Sequence, residues 1–234
     1  MKSGNANVRR VIVIKYIRDL QTSYRKNKIR SKINSPYIKE NDDLKAIFIH
    51  IPKNAGISIE EAIFGRKVGH HRMIEYCAFD EKKFKEYYKF TVVRNPFDRL
   101  VSAFFFLKAG GRNENDRMWA LQNLFEIDSF EEFIDSLKRR KRFFKNTMKH
   151  LHFLPQYYFL EDFNGNIPLD KTIHFEKLND GFFEVCNDLN IKGKKLEHKN
   201  KSKRSDWNIY YDDNTKDFVY NIYKKDFKEF YPEV

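Results

Sequence analysis

Short apolar runs alternate with longer stretches of helical periodicity along this chain. Three of the runs, at 46–52, 89–94 and 172–176, are rich in Ile, Val and Phe. Runs of this length that alternate with helices are typical of strands in a parallel sheet buried on both faces. The pattern predicts an α/β fold in which helices flank a parallel sheet, with the third run central and ligands at the carboxyl ends of the strands.

Helices are predicted around these strands. Apolar side chains at Val13, Ile17, Leu20 and Tyr24 indicate a helix over 8–33, which a polar linker through residue 43 follows. Other helices are expected over 58–64, from 96 to the glycine pair 110–111, from 129, over 179–189, and as one closing helix spanning 218–230.

The net charge of +12 is spread unevenly over the 234 residues. Residues 1–32 carry ten Lys or Arg against one Asp, which leaves only +3 for the rest. We therefore expect a basic leader and linker over 1–43 and one folded domain over 44–234. A nucleic-acid-binding domain would concentrate charge on its folded body, so specific nucleic-acid binding is not expected. The leader either packs on the domain edge with a solvated basic face, or docks on an anionic membrane surface or an acidic partner.

The sequence indicates neither a membrane span nor a secretory signal. The best apolar run, Val11–Ile14, is cut by Lys15 and is far shorter than a span. Cys77 and Cys186 lack the surroundings of a metal site, so we interpret them as buried thiols in a reducing compartment. We expect a soluble, cytoplasmic protein without a metal, peripheral to a membrane if the leader docks there.

The first apolar run leads into the stretch IFIHIPKNAGISI, residues 47–59. A strand ends here in Pro52 and Lys53, the chain turns at Ala55–Gly56, and a helix begins at Ser58. Such a turn directs backbone N–H groups and a helix N-terminus at one point, and the lysine adds a positive charge. The stretch predicts an anion-binding loop. The alternative is an ordinary strand-to-helix connection with a surface lysine.

The second apolar run leads into FTVVRNPFDRLVSAF, residues 90–104. The strand ends in Arg94, Pro96 can begin a helix, and Ser102 lies eight residues beyond Arg94. Two strand-end anion sites in one small domain indicate a ligand with two separated phosphate-like groups.

At these residues the chain resembles the sulfotransferases, in particular the carbohydrate group called sulfotransferase family 2. In that family I-P-K-[TS]-A-G-[TS]-S holds the 5′-phosphosulfate of 3′-phosphoadenosine 5′-phosphosulfate (PAPS), and V-R-[ND]-P-x-[DE]-R-x-x-S holds its 3′-phosphate. The resemblance spans about residues 45–232 and implies the P-loop-like sulfotransferase fold. It assigns the 5′ site to Pro52, Lys53, Asn54, Ala55, Gly56, Ile57 and Ser58, and the 3′ site to Arg94 and Ser102. Two departures, Asn54 and Ile57, stand where the family usually has hydroxyl residues.

The resemblance also covers three further elements. A Gly-His pair between the two motifs makes His70 the general base for the acceptor proton, with His71 in reserve and near the acceptor. The segment 150–160 matches H-x-x-P-Q-x-x-F-L, which places His152 and Gln156 at the acceptor cleft. A late basic loop matches N-x-S-x-R, so Ser202 and Arg204 are expected to close over the 3′-phosphate.

The resemblance implies in-line sulfuryl transfer from PAPS to a carbohydrate hydroxyl, with Lys53 neutralising charge on the leaving oxygen. The acceptor would be acidic if the basic run 138–142 lines its cleft; otherwise that run is a solvated helix end. We interpret the aromatic run 104–106 and His174 as packing residues. A P-loop kinase is disfavoured because G-x-x-x-x-G-K-[ST] is absent. Only the basic leader favours a non-enzymatic RNA- or membrane-binding protein.

Overall fold

A parallel sheet lies at the centre of the protein, for which a computed structural model describes residues 3–196 and 205–234, with side chains from residue 17 onward. Among these residues the sheet has three strands, β1 (Ala46–Ile49), β2 (Tyr88–Val93) and β3 (Lys171–His174), in the order β1-β2-β3. Ala46 pairs with Tyr88, and Phe90 pairs with Lys171. The predicted α/β class with a parallel sheet is confirmed.

The third strand lies at an edge of the described sheet, so the expectation that it is central is wrong. β2 takes the central place because it pairs with β1 on one side and β3 on the other. Only Ile173 of β3 is fully buried, and its neighbours keep partial exposure. Half-exposed polar positions of this kind suit an edge strand better than a central one.

Residues of β1 are buried on both faces of the sheet, which explains the continuous apolar run. On one face Phe48 packs with Phe90 of β2 and with Ile63. On the other face Ile49 packs with Met73 and Tyr76. Successive strand residues point to opposite faces, so each face receives every second side chain.

Helices cover the sheet and extend beyond it. They are α1 (Ser3–Arg30), α2 (Lys39–Leu44), α3 (Gly56–Ile59), α4 (Met73–Phe79), α5 (Glu81–Glu86), α6 (Pro96–Lys108), α7 (Glu114–Leu124), α8 (Phe130–Arg139), α9 (Lys141–Thr147), α10 (Tyr157–Leu160), α11 (Leu178–Asp188), α12 (Asp213–Ile222) and α13 (Lys224–Phe230). A π-helix, Glu60–Phe64, continues α3, and 3₁₀ turns occupy Phe175–Lys177 and Trp207–Tyr210.

Two helical predictions need revision. The linker predicted through residue 43 contains the short helix α2. The single closing helix is two helices, because the chain breaks at Tyr223, whose buried ring directs its hydroxyl to the carbonyl of Phe153 at 2.8 Å. The break places the buried carboxylate of Asp226 against the N–H groups of Gln156 and Tyr157, at 2.7 and 2.9 Å.

The leader helix α1 contacts the domain through its basic residues rather than through its apolar stripe. The Nε of Arg30 donates to the carbonyl of Ala78 at 2.6 Å, and Lys26 pairs with Glu81. Packing of the apolar stripe on the domain edge, one of the two readings of the leader, is not seen at Ile17, Leu20 and Tyr24, whose side chains are 48%, 53% and 68% exposed. Val13 lies outside the described side chains. No helix in the described ranges is long and apolar enough to cross a membrane.

The two cysteines differ in their surroundings. Cys186 is buried in α11, as predicted, and burial raises the pKa of its thiol. Cys77 in α4 is only half-buried, so the prediction of a buried thiol is not met there.

Candidate active site

The anion loop, residues 50–58, follows β1 directly and turns sharply. Lys53 and Ala55 have φ angles of 74° and 59°, in the left-handed region that residues other than glycine rarely adopt. Such strain persists only where the surrounding contacts enforce it, and it is concentrated at functional sites. Ala55 immediately precedes Gly56, the first residue of α3. A turn of this kind at a helix start presents consecutive N–H groups to an anion.

Gly56 is required by close packing. A Cβ at this position would lie 2.0 Å from Cδ2 and 2.2 Å from Nε2 of the His50 ring. Because His50 is itself buried, the ring has little room to move away. The glycine of the motif therefore lets an imidazole lie directly against the loop backbone.

The other loop residues differ in orientation. The Nδ2 of Asn54 donates to the carbonyl of Val92 and to Oε1 of Gln156, both at 2.7 Å, so this side chain points into the protein. The carbonyl of buried Pro52 accepts from Nε of Arg99 at 3.1 Å. Asn54 thus holds the loop against β2, and any contact it makes with a donor would come from its backbone. Elsewhere in the loop Ser58 is buried and Ile57 is half-buried.

The ammonium group of Lys53 lies in a partly desolvated, positively charged environment. Its Nζ is 3.6 Å from the ring centroid of Phe106, one of the aromatic residues expected only to pack. Burial first, and the nearby charge of Arg94 second, lower the pKa of Lys53 to about 7, against the opposing effect of Asp116. A bound anion would restore the charged form of this lysine.

The second strand-end motif places Arg94 beside the anion loop. Arg94 follows β2, and its NH1 donates to the carbonyl of Lys53 at 2.9 Å while its Nε donates to Oδ2 of Asp98 at 2.8 Å. Ser102 is buried on α6, which Asn95 caps by accepting from the N–H of Phe97. The two motifs, separate in sequence, therefore lie side by side at the carboxyl edge of the sheet.

Gln156 connects the two motifs from the interior. It is fully buried, and its Oε1 accepts from Nδ2 of Asn54 and from the N–H of Arg94 at 2.7 and 3.0 Å. Its Nε2 donates to the carbonyl of Arg94 at 2.9 Å. The sequence-based expectation placed Gln156 at the acceptor, whereas in the structure its amide is occupied by these internal contacts. These contacts indicate that Gln156 stabilises the packing of the two motifs against each other.

The two histidines of the 69–71 segment face different partners. The Nδ1 of His70 lies 3.1 Å from the carbonyl of His50, and the two ring centroids are 4.1 Å apart. Nδ1 of His71 lies 3.0 Å from Oε2 of Glu75. His70 retains exposed surface, yet partial desolvation and the charge of His50 lower its pKa below the ordinary value. His70 is therefore a neutral imidazole at pH 7.

His152 lies near Lys53 and is paired with a residue that the sequence did not single out. Its Nε2 is 3.3 Å from Oδ1 of the buried Asp116, and its ring meets that of Phe106 edge-on at 4.8 Å. Burial first, and the charge of Lys53 second, lower its pKa far below the ordinary value. Asp116 gave no sequence signal because it occupies an ordinary position in the first turn of α7.

Other predicted elements lie at the surface or outside the described ranges. Ser202 and Arg204 are not among the described residues, so their placement stays a prediction. The basic run 138–142 is exposed where α8 meets α9. Within residues 3–196 and 205–234, no group of three or more His, Cys, Asp and Glu is arranged to hold a metal ion.

Residues 36–232 match the family model described as "Sulfotransferase family". The chain belongs to the sulfotransferase family. The matched range includes both strand-end motifs and begins within the linker that follows the leader. No curated protein and no solved structure gave a match in the corresponding comparisons. Sulfuryl transfer is thus the reaction class of this sulfotransferase.

The buried amide of Gln156 is expected to stabilise the folded sulfotransferase. Gln156→Ala should lower the free energy of unfolding by about 2–4 kcal/mol, because the N–H and carbonyl of Arg94 would lose their partners in the interior. Denaturant unfolding measures this change, with Gln122→Ala on the exposed side of α7 as the matched control. Unchanged stability together with a raised KM for the acceptor would instead make Gln156 an acceptor-binding residue.

Proposed function

We propose that this sulfotransferase moves the sulfuryl group of PAPS to a carbohydrate hydroxyl by in-line displacement. The observation that carries the proposal is the hydrogen bond from Arg94 NH1 to the carbonyl of Lys53, at 2.9 Å. It holds two cationic side chains at the ends of adjacent parallel strands. A nucleotide with phosphate-type groups on both its 3′ and 5′ positions matches two such sites.

The anion loop fits the 5′-phosphosulfate. The N–H groups around Ala55 and Gly56 would hold its oxygens, and Lys53 would place a charge beside the bridging oxygen. A lysine with a pKa of about 7 would regain its full positive charge when an anionic ligand binds beside it. When bound, PAPS supplies an activated sulfuryl group, and the role of these residues is to bind and orient it while they stabilise the developing negative charge.

The second motif fits the 3′-phosphate. Arg94 and Ser102 follow the same strand, and both are buried near the edge of the sheet where Lys53 lies. An arginine can form paired hydrogen bonds with phosphate, whereas a hydroxyl adds one donor. Ser202 and Arg204 complete this site in the proposal, on the strength of the sequence resemblance alone.

His70 has the tautomer that a general base needs. A neutral imidazole beside a carbonyl carries its proton on the nitrogen that donates to it, so Nδ1–H of His70 faces the carbonyl of His50. Nε2 then bears the lone pair, which can accept the hydroxyl proton of the acceptor. His71 and His152 are proposed acceptor contacts, and the carbohydrate class rests on the resemblance.

We further propose that the leader, residues 1–32, contacts an anionic membrane surface. Its excess of basic residues supports this proposal, as do the exposed side chains of Ile17, Leu20 and Tyr24. The contact is separate from the chemistry because both strand-end motifs lie beyond residue 45.

Lys53→Ala should reduce transfer from PAPS by ~10²-fold or more, because the charge beside the leaving oxygen is lost. In the unmutated protein, donor affinity should fall as pH rises from about 7 to about 9, since deprotonated Lys53 must take up a proton on binding. Radiolabelled PAPS turnover and calorimetry measure the two effects.

Lys67→Ala is the matched control. It removes an exposed lysine that lies in sequence between the anion loop and the 69–71 segment, and it should behave like the parent. Parent-level turnover by Lys53→Ala would remove this lysine from the mechanism.

His70→Ala should depress kcat by ~10²–10⁴-fold with donor affinity nearly unchanged, because the base acts in the transition state. The rate should rise with pH in the acidic range and level off by neutrality, since only neutral imidazole accepts the proton and burial lowers its pKa. His71→Ala should be much milder, as its ring contacts Glu75.

A reversal of severity between the two histidine variants would make His71 the base. Full activity in both would place the base elsewhere, with His152 the next residue to replace.

A further inference from the structure

The carboxylate of Glu60 is buried deeply although it is ionised. The residue is 2% exposed and begins the π-helix that continues α3. Burial alone would raise its pKa, but a hydrogen bond from His50 and the N–H groups of Val68 and Gly69 together hold that pKa below the ordinary value. A π-helical turn is often found at a functional site.

A single oxygen of Glu60 joins three parts of the chain. Oε1 accepts from Nδ1 of His50 at 2.8 Å, from the N–H of Val68 at 3.0 Å and from the N–H of Gly69 at 3.1 Å. Gly69 has a φ of 84°, and His70 follows it directly. The carboxylate thus connects the anion loop with the segment that carries the proposed base.

His50, which binds Glu60, also contacts both the anion loop and His70. Nδ1 of His50 is held by Glu60, which orients the ring, and the rest of the ring lies against Gly56 of the anion loop. The backbone carbonyl of the same residue accepts from Nδ1 of His70 at 3.1 Å. The rings of His50 and His70 are 4.1 Å apart.

We propose that Glu60 is a positioning residue that, through His50, fixes the orientation and tautomer of His70 relative to the anion loop. This inference rests on the proposed role of His70 as the general base. The peptide N–H groups after residue 67 would otherwise be free to turn, and His70 Nδ1 would lose a fixed carbonyl partner. Orientation by a hydrogen-bonded neighbour is how carboxylate–imidazole pairs act on a base.

The buried charge of Glu60 also favours the product of the proton transfer. When Nε2 of His70 accepts the acceptor proton, the ring becomes an imidazolium, and a nearby carboxylate stabilises that cation. The other titratable groups that face His70 are His50, His71 and His152, from the end of β1, the same loop and the segment after α9. Among these groups and Glu60, only Glu60 carries a negative charge that can stabilise the His70 imidazolium.

The test compares Glu60→Gln, which keeps the shape and an accepting oxygen but removes the charge, with Glu60→Ala, which removes both. Glu86→Gln on exposed α5 is the matched control and should leave activity unchanged. For each full-length variant, kcat and KM with PAPS, the affinity for adenosine 3′,5′-bisphosphate, and the ¹⁵N chemical shifts of the histidine rings would be measured.

Glu60→Gln should lower kcat by ~10-fold and Glu60→Ala by ~10²-fold, with KM for PAPS and bisphosphate affinity within ~2-fold of the parent for Glu60→Gln. The acidic limb of the kcat profile should move to lower pH in Glu60→Gln, because His70 loses a stabilising negative charge. In Glu60→Ala the ring shifts of His50 and His70 should report mixed tautomers, because the accepting oxygen is lost.

Two results would overturn the inference. One is parent-level kcat in Glu60→Ala while His70→Ala is inactive, which leaves the proposed function intact. The other is a fall in bisphosphate affinity equal to the fall in kcat with unaltered histidine shifts, which would make Glu60 a support of the anion loop alone. Full activity of His70→Ala would instead refute the proposed base, whatever the ring shifts show.

Discussion

The site depends on the parallel pairing of β1 and β2. Parallel neighbours end at the same edge of a sheet, so the anion loop after β1 and Arg94 after β2 emerge side by side. Gln156 then fixes their separation, because its amide binds Asn54 of the loop and both backbone groups of Arg94. The positions of the two cationic side chains are therefore set by backbone pairing and one buried amide, before any ligand binds.

Holding cations close together in a partly desolvated site carries an electrostatic cost. The pKa values of Lys53 and Arg99 are lowered, which means that their charged forms are disfavoured, and burial is the first cause in each. The Asp98 carboxylate offsets part of it through its contact with Arg94, and the charge of Asp116 opposes the lowering of the Lys53 pKa. An anionic ligand would remove the remainder, so the clustered positive charge that destabilises the protein alone favours its complex with an anion.

The sequence was informative where a pattern is local. Two-sided burial made the strands visible, and the strand-end motifs identified Lys53 and Arg94. Contacts between distant residues left no local trace, so the inward orientation of Gln156, the pairing of Asp116 with His152, and the edge position of β3 could not be predicted. For the leader, helical spacing predicts an apolar stripe but not which face contacts the domain, and the basic Arg30 and Lys26 make that contact.

Calorimetric titration of the full-length protein with adenosine 3′,5′-bisphosphate, adenosine 5′-phosphate and ATP tests the central claim most directly. If two strand-end sites hold two anionic groups of one nucleotide, the bisphosphate should bind ~10–100-fold more tightly than adenosine 5′-phosphate, the gain expected from charge-assisted bonds to a second phosphate. ATP should bind no better than adenosine 5′-phosphate. Equal affinity for the two adenosine phosphates, or a preference for ATP, would contradict the account and favour a kinase.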